Sequence, residues 1–269
     1  MLMSKIKDEF NKYDIFIVDI DGVVRRGNKV IISNVQPLNV LIKQGKTVIF
    51  MTNNSTRDRL SYLIMLRNSG ISIKSVEHIL TSAYTTALFL RKRNITKVYV
   101  VGEFGLISEL LAQGIRVVNE DDCMKEGVEA VVVGLDRNLT YRKLMYASMA
   151  IRNGALFIAT NTDKTLPLPD GEVPGAGSIV SAISTATGRK PDYIIGKPNT
   201  FMLELALGRG YDQSKVLVIG DRLDTDVEFA YNYGVDSAIV LTGVTKPNDI
   251  IYYPHKPTYV LRTLKDMLL

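Results

Sequence analysis

Short runs of apolar and β-branched residues alternate along this chain with longer segments of helical periodicity. The clearest run, Ile15–Asp19, is too short for a helix and too apolar for an exposed strand, so we assign it to a buried strand. Buried strands of this kind are typical of parallel sheets that carry helices on both faces. The alternation therefore predicts an α/β fold built on parallel strands.

The same periodicity assigns most of the chain to helices and strands. The predicted strands are residues 15–19, 47–51, 98–101, 130–133, 156–159, 193–195, 216–219 and 237–241. The predicted helices are residues 35–44, 57–68, 104–113, 140–152, 178–187, 199–207 and 226–233, with Ser33 or Asn34 capping the first. A strand-to-helix turn explains the string GEFG at 102–105. The Pro- and Gly-rich stretch 162–177 is expected to be a shaped loop with little regular structure.

The composition argues against several classes of protein. A length of 269 residues fits one large or two modest domains, and 46% hydrophobic residues is ordinary for a folded chain. The single cysteine, Cys123, excludes an intramolecular disulfide framework and a multi-cysteine zinc site. The net charge of +5 is dispersed along the chain, so a nucleic-acid partner is not favoured, whereas a small anionic substrate is compatible.

The chain shows no signal for secretion or for insertion into a membrane. Its first residues mix charged and apolar side chains, without the apolar region of a signal peptide. No stretch approaches the roughly 18 uninterrupted apolar residues that a membrane-spanning helix requires. We therefore expect a cytoplasmic protein without a membrane partner.

Two carboxylates directly follow the first predicted strand, in the string Asp19-Ile20-Asp21-Gly22. Positions two apart in a strand face the same side, and parallel α/β sheets bind their ligands at the carboxyl ends of the strands. Two carboxylates this close both stay ionised at low cost when a cation joins them, and Mg²⁺ prefers such oxygen ligands. Water or a protonated carboxyl also relieves the repulsion, and a hydrated Asp-Gly turn accounts for the same residues.

Polar residues follow three further predicted strands. Thr52 to Ser55 follow the second, Lys197 follows the strand at 193–195, and Asp221 follows the strand at 216–219 with Asp226 close behind. Hydroxyls and amides next to a helix N-terminus can hold phosphate oxygens, and a lysine offsets carboxylate or phosphate charge. Helix capping explains single residues in these strings but not all of the clusters. We expect the four clusters to meet in one crevice.

In this order, the strings DIDGV, TNNS, GKP and GDRLDTD resemble the four motifs of the haloacid dehalogenase-like hydrolase superfamily. The longer strings DIDGVVRRG, MTNNSTR and TNTDKTLPLPDGEVPGAG are similar to its para-nitrophenylphosphatase type, which carries a large α/β cap of class IIA. The resemblance covers residues 16–244. It implies a Rossmann-like parallel-sheet core formed by residues 1–81 and 188–269, with an inserted α/β cap domain at 82–187.

The resemblance also implies a reaction and a metal. It makes Asp19 the nucleophile that forms an aspartyl-phosphate, and Asp21 the general acid that later activates water as a base. It assigns Mg²⁺ to Asp19, Asp221 and the backbone carbonyl of Asp21. Asp226 is then a second-layer residue that orients these metal ligands.

Binding of the phosphoryl group and closure of the site are implied in the same way. Thr52, Asn53 and Lys197 are expected to hold the phosphoryl oxygens. The cap is expected to cover the site and exclude water. Asp163, Lys164 and the PGAG loop are the candidates for its lining, although a Pro- and Gly-stiffened connection explains that segment equally well.

The function implied by the resemblance is a Mg²⁺-dependent phosphatase for small phosphorylated metabolites. Two alternatives remain open at this point. One is a phosphotransferase or mutase of the same fold, and the other is a catalytically silent ligand-binding module. Family analogy also suggests a homodimer.

Overall fold

Parallel strands form the framework of the structure, a computed structural model that describes residues 5–168, 171–207 and 211–269. The strands in these ranges are β1 (Ile15–Asp19), β2 (Arg25–Arg26), β3 (Lys29–Val30), β4 (Thr47–Thr52), β5 (Ile79–Thr81), β6 (Lys97–Val101), β7 (Arg116–Val118), β8 (Ala130–Val133), β9 (Leu156–Ala159), β10 (Thr165–Leu168), β11 (Gly171–Pro174), β12 (Tyr193–Ile194), β13 (Val216–Gly220), β14 (Asp236–Val240) and β15 (Tyr259–Leu261).

Helices connect most of these strands. They are α1 (Asp8–Asn11), α2 (Ile32–Lys43), α3 (Arg59–Asn68), α4 (Ser82–Lys92), α5 (Phe104–Ala112), α6 (Glu120–Glu126), α7 (Tyr141–Arg152), α8 (Ala176–Thr187), α9 (Phe201–Leu207), α10 (Glu228–Tyr233) and α11 (Pro247–Tyr252). A π-helical turn, Leu223–Val227, leads into α10. Within the described ranges, no helix has the length and apolar character needed to cross a membrane.

The first sheet has the strand order β15-β14-β13-β1-β4-β5, with all neighbours parallel. β1 lies near its centre, between β13 and β4. Phe16 and Val18 of β1 pack into one hydrophobic cluster and Ile17 packs into another on the opposite face. Burial on both faces explains why this strand reads as a continuous apolar run, and each such side chain contributes roughly 1.5–3 kcal/mol.

A second parallel sheet has the order β12-β9-β8-β6-β7 and is formed by residues between 97 and 194. Its two faces are also buried. Val131 and Val133 of β8 pack into one cluster, and Ala130 and Val132 pack into the other. The predicted α/β fold with parallel sheets is therefore confirmed.

The predicted strands lie within one residue of the observed ones, but one prediction about their grouping is wrong. The run at 193–195 was expected beside the strands of the last third. It instead pairs with β9 in the second sheet, Tyr193 opposite Ile158 and Ile194 opposite Ala159. The second sheet therefore extends beyond residue 187, the expected end of the inserted domain.

The stretch 162–177 is more regular than expected. β10 and β11 pair in antiparallel register, with Thr165 opposite Pro174 and Leu166 opposite Val173.

The capping prediction for α2 is wrong, because its N-cap is Ile31 and Asn34 lies inside the helix. The buried side chain of Asn34 bridges distant parts of the chain, donating to the Val23 carbonyl (2.8 Å) and accepting from the Leu264 N–H (2.8 Å).

Candidate active site

A cavity at the carboxyl edge of the first sheet collects the four polar clusters of the sequence. Asp19 ends β1, Thr52 ends β4, and Asp221 directly follows β13, so parallel pairing of these strands brings the three side chains to one rim. The predicted site residues that line this cavity are Asp19, Asp21, Thr52, Asn53, Asp163, Lys197, Asp221 and Asp226. Lys164 is exposed and lies outside the lining.

The ammonium of Lys197 lies between two carboxylates. Its Nζ is 2.5 Å from Asp19 Oδ1 and 2.6 Å from Asp226 Oδ1, and all three side chains are buried. Burial by itself lowers the pKa of an ammonium, but the charges of Asp19 and Asp226 outweigh it and raise the pKa of Lys197 above its usual value. Lys197 is therefore a cation throughout the physiological pH range.

Asp226 holds the loop after β13 in place. One of its oxygens accepts from Lys197, and the other accepts from the backbone N–H groups of Asp221 (3.2 Å) and Arg222 (3.1 Å). The carboxylate of Asp221 is fixed in turn by the Val244 N–H, at 2.7 Å from Oδ2. Asp226 therefore links Lys197 to the loop that carries Asp221.

Gly22 lets the first and last clusters approach each other. It has a positive φ of 90°, which favours glycine, and a Cβ at this position would lie 2.2 Å from Asp221 Oδ2. Any larger residue would displace the carboxylate. The Asp-Gly string therefore serves a close approach to Asp221 as well as a turn.

Burial raises the pKa of Asp21, while the charges of Arg25, Lys197 and Arg57 oppose that shift. A raised pKa keeps a larger fraction of this carboxyl protonated near neutral pH. Asp21 lines the cavity beside Asp19 and is only partly buried, so it can exchange protons with a ligand or with water. These properties suit a group that first gives and then takes a proton.

The carboxylates at this rim fit a divalent cation. Asp19, Asp221 and Asp226 each place an oxygen within 4.8 Å of the others. Lys197 offsets one of the three charges and leaves two uncompensated. Burial, reinforced by the charge of Asp226, raises the pKa of Asp221 to about 7. An all-oxygen donor set that carries two excess negative charges once Asp221 is ionised is the chemistry that Mg²⁺ prefers.

Thr52 and Asn53 both line the cavity, and their side chains differ in their hydrogen-bond partners. The Thr52 hydroxyl accepts from the Asn54 N–H (3.0 Å) and is also hydrogen-bonded to the Tyr62 side chain. The side chain of Asn53 is fully engaged: Nδ2 donates to Asp163 Oδ1 (2.9 Å) and to the Lys197 carbonyl (3.0 Å), and Oδ1 accepts from the Lys197 N–H (2.8 Å). Its side-chain amide therefore positions Lys197, and its backbone carbonyl accepts from Ser82 and Asn161.

Asp163 reaches the cavity from the second sheet. Burial raises its pKa to about 6, although the hydrogen bond from Asn53 acts in the opposite direction. Asn161, which sequence reasoning missed, donates to the Asn53 carbonyl (2.7 Å) and accepts from the Asp163 N–H (3.1 Å). Its position directly after a strand, in the string TNTD, was the available signal.

Glycines bring the second sheet against the loop that follows β4. A Cβ on Gly105 would lie 2.3 Å from the backbone N and C of Arg57, and one on Gly134 would lie 2.5 Å from Ser55 Oγ. The Gly105 N–H also donates to the Thr56 carbonyl, at 3.2 Å. The second sheet is thus seated directly on the phosphate-loop candidate.

Comparisons with known proteins identify the family to which the chain belongs. The model of the haloacid dehalogenase-like hydrolase family matches residues 16–116, and a second model, described as HAD-hydrolase-like, matches residues 194–267. Phosphoglycolate phosphatase 2 of Arabidopsis thaliana is 36% identical over 98% of this chain and 95% of its own length.

Solved structures show the same similarity. The p-nitrophenyl phosphatase of Archaeoglobus fulgidus superposes with a TM-score of 0.87 at 38% identity, covering 95% of this chain and 98% of that protein. The glycerol phosphate phosphatase of Mycobacterium tuberculosis, solved in complex with magnesium, has a TM-score of 0.87 at 34% identity and covers 98% of this chain and 79% of that protein.

Proposed function

Because this chain belongs to the haloacid dehalogenase-like hydrolase family, we propose that it is a Mg²⁺-dependent phosphatase of small phosphomonoesters that acts through a phosphorylated Asp19. The observation that carries the proposal is the position of Lys197 between Asp19 and Asp226, beside Asp221. A buried carboxylate held by an ammonium is a nucleophile that needs no separate base.

In the first half-reaction, an oxygen of Asp19 attacks phosphorus and the bond from phosphorus to the ester oxygen breaks. The electron pair of that bond goes to the leaving oxygen, which takes the proton of Asp21. Thr52 and Lys197 donate hydrogen bonds to the phosphoryl oxygens as the charge on them shifts. Phosphoryl transfer depends mainly on such positioning and charge neutralisation.

In the second half-reaction, Asp21 takes a proton from water, and the water oxygen attacks the phosphorus of the aspartyl-phosphate. The bond between phosphorus and Asp19 breaks, and inorganic phosphate leaves. Asp21 regains its proton in this step, so both carboxyls return to their starting states. Removal of the bulk solvent by the second sheet strengthens every charge interaction under it.

Asp19, Asp221 and the backbone carbonyl of Asp21 would hold Mg²⁺, and Asp226 would orient them. When bound, Mg²⁺ supplies positive charge that draws phosphoryl and carboxylate oxygens together.

We place the inserted domain at residues 82–187 and extend it to include β12, since that strand completes the second sheet. Homodimer formation stays a prediction, which light scattering coupled to size-exclusion chromatography would check.

The test measures release of inorganic phosphate from para-nitrophenyl phosphate with Mg²⁺, with EDTA, and with an added acceptor alcohol. We expect Mg²⁺-dependent release that EDTA abolishes and Asp19→Asn eliminates. Transfer to the alcohol without phosphate release would instead support a phosphotransferase. Asp224→Asn is the matched control, because Asp224 lies in the same acidic string but is half-exposed and outside the cavity lining.

Asp21→Asn separates the two half-reactions. Nitrophenolate leaves readily without a proton, whereas attack by water still requires the base. We therefore expect a burst of about one nitrophenolate per enzyme, followed by slow turnover, and a phosphorylated peptide containing position 19 after quenching. Absence of both the burst and the adduct, in a protein whose wild type turns over, would contradict the covalent route.

A further inference from the structure

A second cavity adjoins the phosphoryl site on the side of Asp21. Its volume is about 100 Å³, and it shares Asp21, Asn54, Leu135 and Leu166 with the first cavity. In the proposed reaction Asp21 protonates the oxygen of the leaving group. The rest of the leaving group therefore lies beyond Asp21, where this second cavity begins.

Three arginines line the second cavity: Arg25, Arg57 and Arg137. A guanidinium keeps its charge at every accessible pH. Arg137 is already compensated, since its Nη2 lies 2.6 Å from Glu103 Oε2 and its Nε 2.7 Å from Glu103 Oε1.

The other two arginines lack such compensation. Arg25 donates to neutral acceptors, the Gly27 carbonyl (2.6 Å) and Asn28 Oδ1 (3.2 Å). Arg57 makes no hydrogen bond or ion pair with any residue in the described part of the chain. Asp21, the acidic residue of this lining, offsets at most one of the two charges. The cavity therefore holds excess positive charge.

We propose that Arg25 and Arg57 bind a second anionic group carried by the leaving group, so that the preferred substrates are short phosphomonoesters whose alcohol bears a carboxylate or a further phosphate. This inference rests on the proposed phosphatase function and names its substrate class. Guanidinium groups recognise both anions through paired N–H donors. The side chains of Leu135 and Leu166 give the intervening carbon atoms an apolar contact.

Three esters with the same two-carbon skeleton test the proposal. Phosphoglycolate carries a far carboxylate, ethylene glycol bisphosphate a far phosphate, and ethylene glycol monophosphate a neutral hydroxyl. We expect kcat/KM for at least one of the two anionic esters to exceed that for the neutral ester by about tenfold or more. The comparison between the two anionic esters identifies which anion is recognised.

Arg57→Gln is the decisive variant, because its side chain makes no hydrogen bond in the described structure whose loss would disturb the fold. We expect it to reduce the ratio of anionic to neutral kcat/KM by about tenfold. Arg25→Gln should reduce the same ratio. Arg26→Gln is the matched control: Arg26 neighbours Arg25 in β2 but is exposed and outside the cavity lining, so the ratio should stay at the wild-type value.

Each result of these measurements either supports or overturns the proposed anion subsite. Equal kcat/KM on all three esters in the wild type would overturn the anion subsite while leaving the phosphatase intact. A ratio that falls equally in Arg26→Gln and Arg57→Gln would assign the effect to the general positive field and also overturn it. Failure to hydrolyse any of these esters or para-nitrophenyl phosphate with Mg²⁺ would refute the underlying function.

Discussion

Replacement of Lys197 by methionine removes the ammonium that bridges Asp19 and Asp226 and keeps a similar length of side chain. The Lys197 side chain is 3% exposed, so water does not solvate the two carboxylates once the ammonium is removed. Breaking a buried ion pair by removing one partner costs about 3–5 kcal/mol, because the remaining charge stays buried. Two carboxylates lose their partner here, and Asp221 lies beside them. We therefore expect the upper part of that range for the metal-free protein.

The effect is measured by thermal and urea unfolding in EDTA at pH 7.5 and pH 5.5. For a domain of this size, 1 kcal/mol corresponds to about 2–4 °C, so a loss of about 4–5 kcal/mol should lower the melting temperature by roughly 8–20 °C at pH 7.5. Lys164→Met is the matched control, because Lys164 is exposed and outside the cavity; it should change the melting temperature little.

The pH dependence follows from the direction of the pKa shifts. Burial raises the pKa of Asp19, and it raises that of Asp221 to about 7, so these groups destabilise the folded state when ionised. The stabilising charge of Lys197 is fully present below its unfolded pKa, and thus at both pH values. Without Lys197 the carboxyls take up protons more readily as the pH falls, so the deficit of the variant should shrink at pH 5.5.

Addition of Mg²⁺ supplies a second check on the same charges. A cation held at 100 times its dissociation constant stabilises by about 2.7 kcal/mol, and it should raise the melting temperature of the variant at least as much as that of the wild type. A Lys197→Met protein that is as stable as the wild type in EDTA at pH 7.5, or one whose loss of stability is as large at pH 5.5, would show that the Lys197 ammonium does not stabilise the buried carboxylates.

Two further predictions concern the contact between the two sheets. Burial raises the pKa of Asp163 to about 6, so ionisation of Asp163 opposes folding above that pH. We therefore expect Asp163→Asn to raise the melting temperature at pH 8 and to leave it nearly unchanged at pH 5. Equal shifts of the melting temperature at both pH values would contradict this prediction. Gly105→Ala should destabilise the fold by about 1–3 kcal/mol and lower kcat/KM, because the added Cβ would overlap the Arg57 backbone. An alanine in place of glycine inside a helix normally stabilises a protein. An increase in the urea midpoint of unfolding would therefore count against the proposed contact.

Much of the fold was predictable because the strands are buried on both faces. β1 and β8 show as apolar runs of four or five residues, and their bounds were correct. An apolar run does not identify its neighbours, which is why β12 was assigned to the wrong sheet. β5 and β7 were missed because each has three residues, too few to establish a period.

The grouping of the candidate site residues in one cavity could be predicted for a different reason. Asp19 and Thr52 end their strands and Asp221 directly follows one, and parallel pairing brings the ends of such strands together whatever the loops do. Lys197 reaches the same rim from β12 of the other sheet, through the Gly196 turn. Its motif marked it as a site residue, but the sequence could not show that it enters from that side.

The contact between the sheets could not be predicted, because it depends on two glycines, which have no side chain. Gly105 and Gly134 look in the sequence like ordinary turn residues after strands. In the structure each allows the backbone or the hydroxyl of the loop after β4 to come within a distance that any Cβ would block. The arginine cavity has this origin in part: Arg25 and Arg57 follow neighbouring strands of the first sheet, and Arg137 joins them from the second sheet. Polar residues at strand ends can therefore be recognised as motifs in the sequence, whereas the complete lining of the second cavity also depends on how closely the two sheets pack.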